Sequence, residues 1–199
     1  MICIDEPGWN GEAAVNTTYL LESIRIMDFS TVDDQLRGFS DAIRLGRFAY
    51  FAPYSYSQNK YSSKLIRISL GTIDIGTTLS YLQETNQNLR SIIEILDLSK
   101  KYDLLRGFSS IFNSGQFLFL VPYRNKYEPQ NGQRGNGIVV RINLNNFELN
   151  GVEYLDFTKT TRTQIPSFND ISLTGFSYGF ACKIFILFSL YLFFLMQFF

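Results

Sequence analysis

Leu36 to Tyr54, LRGFSDAIRLGRFAYFAPY, returns with 9 of its 19 residues identical as Leu105 to Tyr123, LRGFSSIFNSGQFLFLVPY, and begins again at Leu173 as LTGFSYGFACK. Gly38 and Gly107 lie 69 positions apart, Gly107 and Gly175 lie 68 apart, and both Pro53–Pro122 and Asp28–Asp97 again span 69. Self-similarity at a fixed period dictates the architecture before any local reading does. The period exceeds the ~40–50 residues of a four-stranded propeller blade, so each unit must carry an insertion.

Four strand-like pieces recur within a unit. The first holds Gly38-Phe39 and Gly107-Phe108. The second is Phe48 to Tyr54, matched by Phe117 to Tyr123. It is apolar on both faces, as a strand covered on both sides would be, and its proline marks a strand end or edge. The third is Leu65 to Leu70, matched by Val139 to Leu144. In it Ile66, Ile68 and Leu70 alternate with Leu65, Arg67 and Ser69, the period of a half-buried strand. The fourth is Ile93 to Leu98, preceded by its counterpart Ile24 to Phe29 and followed by Val152 to Phe157. Length differences fall between these pieces, in the Gly-rich segment from Asn131 to Gly137 and in the Gln/Asn-rich segment from Gly71 to Arg90, which predicts a long loop or a short helix.

Four strands per unit with aromatic faces between neighbouring sheets predicts an all-β fold: a partial β-propeller of two to three four-stranded antiparallel blades. Residues 1–23 form an N-terminal extension and 24–180 the repeats, with units at 36–104 and 105–172 and a third opening at 173. Residues 181–199 form an apolar tail. The chain resembles a family of aromatic-rich, propeller-like repeats of the form GF…G-x-Y-x-Y-F-x-P-Y…G-x-V-x-R-I-D-L…LDL. The matching residues are Gly38, Phe39, Gly46, Tyr50, Phe51, Pro53, Tyr54, Arg67, Ile68 and Leu70, then Gly107, Phe108, Gly115, Phe119, Pro122, Tyr123, Arg141, Ile142 and Leu144. The resemblance implies a fold and brings no catalytic residues. Two units, the closing strand of an earlier one and the opening of a third are too few for a ring of about four or more blades, so the expectation is a piece of a propeller or a subunit with open sheet edges prone to self-association.

Lys plus Arg and Asp plus Glu are both 18, and this zero net charge argues against a nucleic-acid surface. There is no histidine, which removes the commonest general base and transition-metal ligand. Cys3 and Cys182 stand alone, in no metal or redox spacing; a bridge between them would require the chain ends to meet. No cofactor motif is present. Gly132 to Gly137 lacks the lysine of a P-loop and precedes a strand, so it reads as a hairpin loop. Asn16-Thr17-Thr18 is a sequon in a chain start without signal-peptide character.

Asp28, Asp97 and Asp156 recur at one position, where carboxylates suit either a shared Ca²⁺ site or, more simply, capping of the turn after each strand. Asp33-Asp34 and Asp5-Glu6 read as solvated pairs. Arg67 and Arg141 match, which predicts pairing with a carboxylate of the neighbouring strand or stacking on Tyr54 or Tyr123.

The tail leaves three readings open. Ile184 to Phe199 has only Ser189 and Gln197 as polar residues. As a membrane-crossing helix and tail anchor it would place Ile184, Phe185, Leu187, Phe188, Leu190, Leu192, Phe193, Phe194 and Leu195 in the bilayer, with the repeats facing the cytosol. As an aberrant end it would interrupt the third unit. As a diverged second strand it would put Phe185 where Phe117 lies. The functional expectation is a repeat scaffold that binds a protein or glycan without catalysis. Its alternatives are a membrane-anchored form of that scaffold and a fragment of a carbohydrate-active propeller enzyme.

Overall fold

A computed structural model describes residues 2–4, 24–58, 60–70, 86–124, 136–157, 175–182, 185–189 and 193–197. Strands β1 (Ile2–Ile4) and β2 (Ile24–Ile26) pair with each other. Sheet one contains β3 (Phe39–Leu45), β4 (Phe48–Pro53), β7 (Lys64–Ser69) and β8 (Ile93–Asp97), in that spatial order. A small hairpin, β5 (Ser55–Ser57) with β6 (Lys60–Tyr61), and helix α1 (Asn86–Ile92) are inserted in it. Sheet two follows as β9 (Phe108–Ser114), β10 (Phe117–Pro122), β11 (Ile138–Asn143) and β12 (Val152–Asp156). Sheet three is β13 (Tyr178–Cys182), β14 (Phe185–Ser189) and β15 (Phe193–Gln197). Every described pairing is antiparallel, and the fold is all-β and partially propeller-like.

The three sheets share one register. Leu45 pairs with Phe48 and Ser114 with Phe117, each flanking a two-residue turn, and Cys182 pairs with Phe185 in the same register. Phe48 then faces Ser69 on the third strand, Phe117 faces Asn143, and Phe185 faces Gln197. The pair β1–β2 follows the same plan: Ile2 faces Ile26 and Ile4 faces Ile24, as Ile66 faces Ile95 and Ile68 faces Ile93. Part of the expected N-terminal extension is thus a third strand in the position of β7. A register slip of one residue would turn each apolar set to the wrong face, so recurrence of the register follows from recurrence of the apolar pattern.

The tail is a correction to the helical reading. Phe185, Leu187 and Phe188 lie in β14, and Phe193, Phe194 and Leu195 in β15; Ile184, Leu190 and Leu192 lie outside the described residues. Among the described residues no helix is long and apolar enough to cross a membrane. The physical reason is pairing: Phe-rich sequence favours strands, and β13 offers β14 the hairpin register already used by β9 and β10.

Sheets one and two pack face to face. Tyr50, Ala52, Leu65 and Leu96 of sheet one meet Leu118, Leu120, Val140 and Ile142 of sheet two in one apolar cluster. The other side of sheet one holds Phe51, Ile66, Ile68 and Ile93, covered by Met27, Phe29 and Leu36 and by Leu89 of α1. The other side of sheet two holds Phe119, Val121 and Val139, with Phe157 and Phe176. Leu65 and Ile66 are both fully buried, so β7 is covered on both faces, beyond the half-burial its alternation suggests.

Candidate functional site

The junction between successive sheets is built from repeated polar contacts. Ser40 is skipped in the pairing of β3 with β4, and Ser109 in that of β9 with β10. Each is the extra residue of a β-bulge, a device that re-aims a side chain. The Ser40 hydroxyl donates to the Phe108 carbonyl at 2.7 Å, and the Ser109 hydroxyl to the Phe176 carbonyl at 2.8 Å. Gly107 N–H donates to Ser62 O and Gly175 N–H to Asn136 O, both at 3.1 Å. At the first junction Asp41 also accepts from the Ser110 hydroxyl at 2.8 Å and from Ile111 N–H at 3.2 Å. Sheet one therefore donates through bulged Ser40, and sheet two both receives at the Phe108 carbonyl, on its leading side, and donates through bulged Ser109.

The leading side of sheet one differs from that of sheet two. Phe108 is fully buried, Ile111 is 5 % exposed, and Gly107 is buried. Their counterparts Phe39, Ala42 and Gly38 are half-buried, exposed and exposed. A cavity of about 460 Å³ opens there, floored by Met27, Phe29, Leu36 and Phe51 and rimmed by Arg37 and Asp41. Asp28 also lines it, but its carboxylate accepts from Ser30 N–H at 2.9 Å and the Ser30 hydroxyl at 2.6 Å. Those two bonds hold its pKa below the usual value.

Comparison with protein families, curated proteins and solved structures finds no match.

Asp28 and Asp97 cap the turns after β2 and β8, as their spacing suggests. Asp97 accepts from Ser99 N–H at 3.1 Å and from the Ser99 and Ser63 hydroxyls, both at 2.7 Å. Burial pushes its carboxyl up, yet those donors outweigh it and the pKa falls. The turn after Asp156 runs past the described residues. Among the described residues no three metal-ligating side chains gather. Asp33 is not merely solvated: it pairs with Lys64 and accepts from Gln35 N–H at 3.0 Å. Asp5, Glu6, Asn16 and Gly132 to Gly135 lie outside the described residues.

Arg67 forks onto both carboxylate oxygens of Glu94 with bonds of 2.9 and 2.8 Å, and Arg141 donates twice to one oxygen of Glu153, at 2.9 and 2.6 Å. The cross-strand carboxylate was legible; the ring was not. Arg67 lies 4.6 Å from Phe48 and 4.4 Å from Phe147, and Arg141 lies 4.7 Å from Phe117, in place of the expected Tyr54 and Tyr123. Those tyrosines meet each other instead, 6.0 Å apart, with Tyr61 5.7 Å from Tyr54 and Arg124 5.3 Å from Tyr123. Burial, with Tyr61 alongside, pushes the Tyr54 hydroxyl up, and Arg124 only partly offsets this.

One residue escaped sequence reasoning. Asn136 is 1 % exposed and ties three segments together. Its side chain accepts from Ile138 N–H and donates to Arg106 O, both at 3.0 Å, while its carbonyl holds Gly175. The signal was faint, because the equivalent residue in sheet one is Ser62 and the two share polarity but not type.

Proposed function

We propose that the chain is a non-catalytic repeat scaffold that binds another protein through the leading side of sheet one. The observation that carries this reading is the difference in cover: Phe39 is half-buried and Ala42 exposed where Phe108 and Ile111 are buried against a neighbouring sheet. An apolar patch with a charged rim suits a protein interface. The aromatic-rich propeller-like repeats that the chain resembles fit a scaffold as well. A glycan reading would rely on Tyr54 and Tyr123, but these rings pack on each other and on Tyr61 and present little open face. An enzyme reading would rely on Asp28, one of whose oxygens is engaged by Ser30, and on Asp41, both of whose oxygens are engaged by Ala42, Ser110 and Ile111.

A photo-crosslinking amino acid in place of Ala42 is expected to give a discrete adduct with a partner protein, and one in place of exposed Asn113 is not. The purified partner should then bind the chain and fail to bind Ala42→Arg. Equal labelling from both positions, or glycoside hydrolysis abolished by Asp28→Asn or Asp41→Asn, would overturn the reading.

A further inference from the structure

The tyrosines that follow β4 and β10 meet where sheets one and two join. Tyr54 and Tyr123 hold equivalent positions, and their rings lie 6.0 Å apart, with Tyr61 5.7 Å from Tyr54. Arg124 has no counterpart in the first unit, where Ser55 stands at its position. Its guanidinium lies 5.3 Å from the Tyr123 ring and reaches the Tyr61 hydroxyl, which favours the charged form. Lys64, Arg67, Arg106 and Arg141 each pair with a carboxylate; among the described residues Arg124 pairs with none. Its Nε is enclosed without a hydrogen-bond acceptor, which leaves the terminal N–H groups to meet a ligand. We propose that Arg124 and the Tyr54 and Tyr123 hydroxyls form a binding site for a tetrahedral oxyanion of the phosphate or sulfate class.

The donors are held in place before any ligand arrives. Arg124 N–H donates to Gly107 O at 2.9 Å, and Tyr123 N–H to the same carbonyl at 3.1 Å. Ser62 N–H donates to Tyr54 O at 2.8 Å, and Asn136 N–H to Tyr123 O at 2.9 Å. Side chains carried on so fixed a backbone lose little freedom on binding, which lowers its cost. Burial, with Tyr61 alongside, keeps the Tyr54 phenol protonated, and a protonated phenol donates. Donors from three residues suit the three terminal oxygens of a phosphate or sulfate group, whereas a carboxylate offers two. Such an anion also gives a half-buried guanidinium the charged partner it otherwise lacks. Neither Arg124 nor any of the three tyrosines lines the cavity at Phe39 and Ala42, so this site is separate from the protein-binding surface.

Titration of the purified chain with inorganic phosphate at constant ionic strength, followed by calorimetry and by the tyrosine absorbance difference, tests the site. Saturable binding is expected, competed by sulfate and not by acetate. Arg124→Gln should weaken it about tenfold or more, because a charge-assisted donor is lost. Tyr54→Phe and Tyr123→Phe should each weaken it about fivefold with circular dichroism unchanged, since phenylalanine keeps the ring packing and removes only the donor. Each should also remove part of the absorbance change, a loss that a packing role alone would not cause. Tighter binding of phenyl phosphate than of inorganic phosphate would put the oxyanion on a larger ligand, and equal binding would make it the free ion; either supports the site. The proposal is overturned if neither phosphate nor sulfate binds saturably, if acetate binds equally well, or if binding survives Arg124→Gln. Crosslinking from Ala42 is independent of all these outcomes.

Discussion

Gly107 has a φ of +66°, and a Cβ there would stand 1.6 Å from the Arg124 carbonyl oxygen. Gly115, in the turn between β9 and β10, has a φ of +56° but open space around it. Gly115→Ala therefore meets only the left-handed backbone cost and should lose about 1 kcal/mol in urea denaturation. Gly107→Ala must also move the backbone of Arg124 and should lose about 3 kcal/mol or more; equal losses would refute this account of the glycine. Asn136→Ala leaves Ile138 N–H and Arg106 O without their buried partner and should cost about 2 kcal/mol. Asp97 carries the pH dependence of its turn. Its folded pKa lies below the ordinary 3.8, so its contribution is present above that value and is lost as pH falls through the folded pKa. Asp97→Asn should accordingly lower the denaturation midpoint at pH 7, and the difference from the parent chain should shrink once the pH drops below the ordinary carboxyl range; a difference constant with pH would argue against the charge.

The strand pair β7–β8 and its counterpart β11–β12 each carry a cross-strand Arg–Glu pair, and only the first is a two-oxygen fork enclosed by two rings. Lysine keeps the charge but loses the planar fork and its stacking. Arg67→Lys should therefore cost about 1–2 kcal/mol and Arg141→Lys about half of that, because exposed ion pairs contribute little by themselves. Thermal unfolding of the two variants checks the order; the reverse order would show that the ion pair, not the ring sandwich, sets the energy. At this scale the sequence was most legible. The hydrophobic period located the strands of sheets one and two, because alternation and apolar runs are local properties of the chain. The rings were missed because Phe147 lies 80 positions beyond Arg67 and reaches it only when sheet two docks on sheet one.

The sheets share cores, so they should not unfold independently. Leu120 is fully buried between sheets one and two, and Leu120→Ala should cost about 2–5 kcal/mol while calorimetry still shows one transition. A split into two transitions would mean that each sheet is stable alone. Residue order alone determined the period, the strand sequence and the all-β class, since a recurring apolar pattern admits one recurring register. It left the tail open among helix, aberrant end and strand, because a continuous apolar run satisfies a buried strand as well as a helix. Tertiary structure placed β14 and β15 beside β13, made Asn136 a buried tie, and left Phe39 half-buried and Ala42 exposed where Phe108 and Ile111 are closed. Those outcomes depend on which distant segment lies against a given residue, and two equivalent stretches of chain acquire different surfaces when different neighbours cover them.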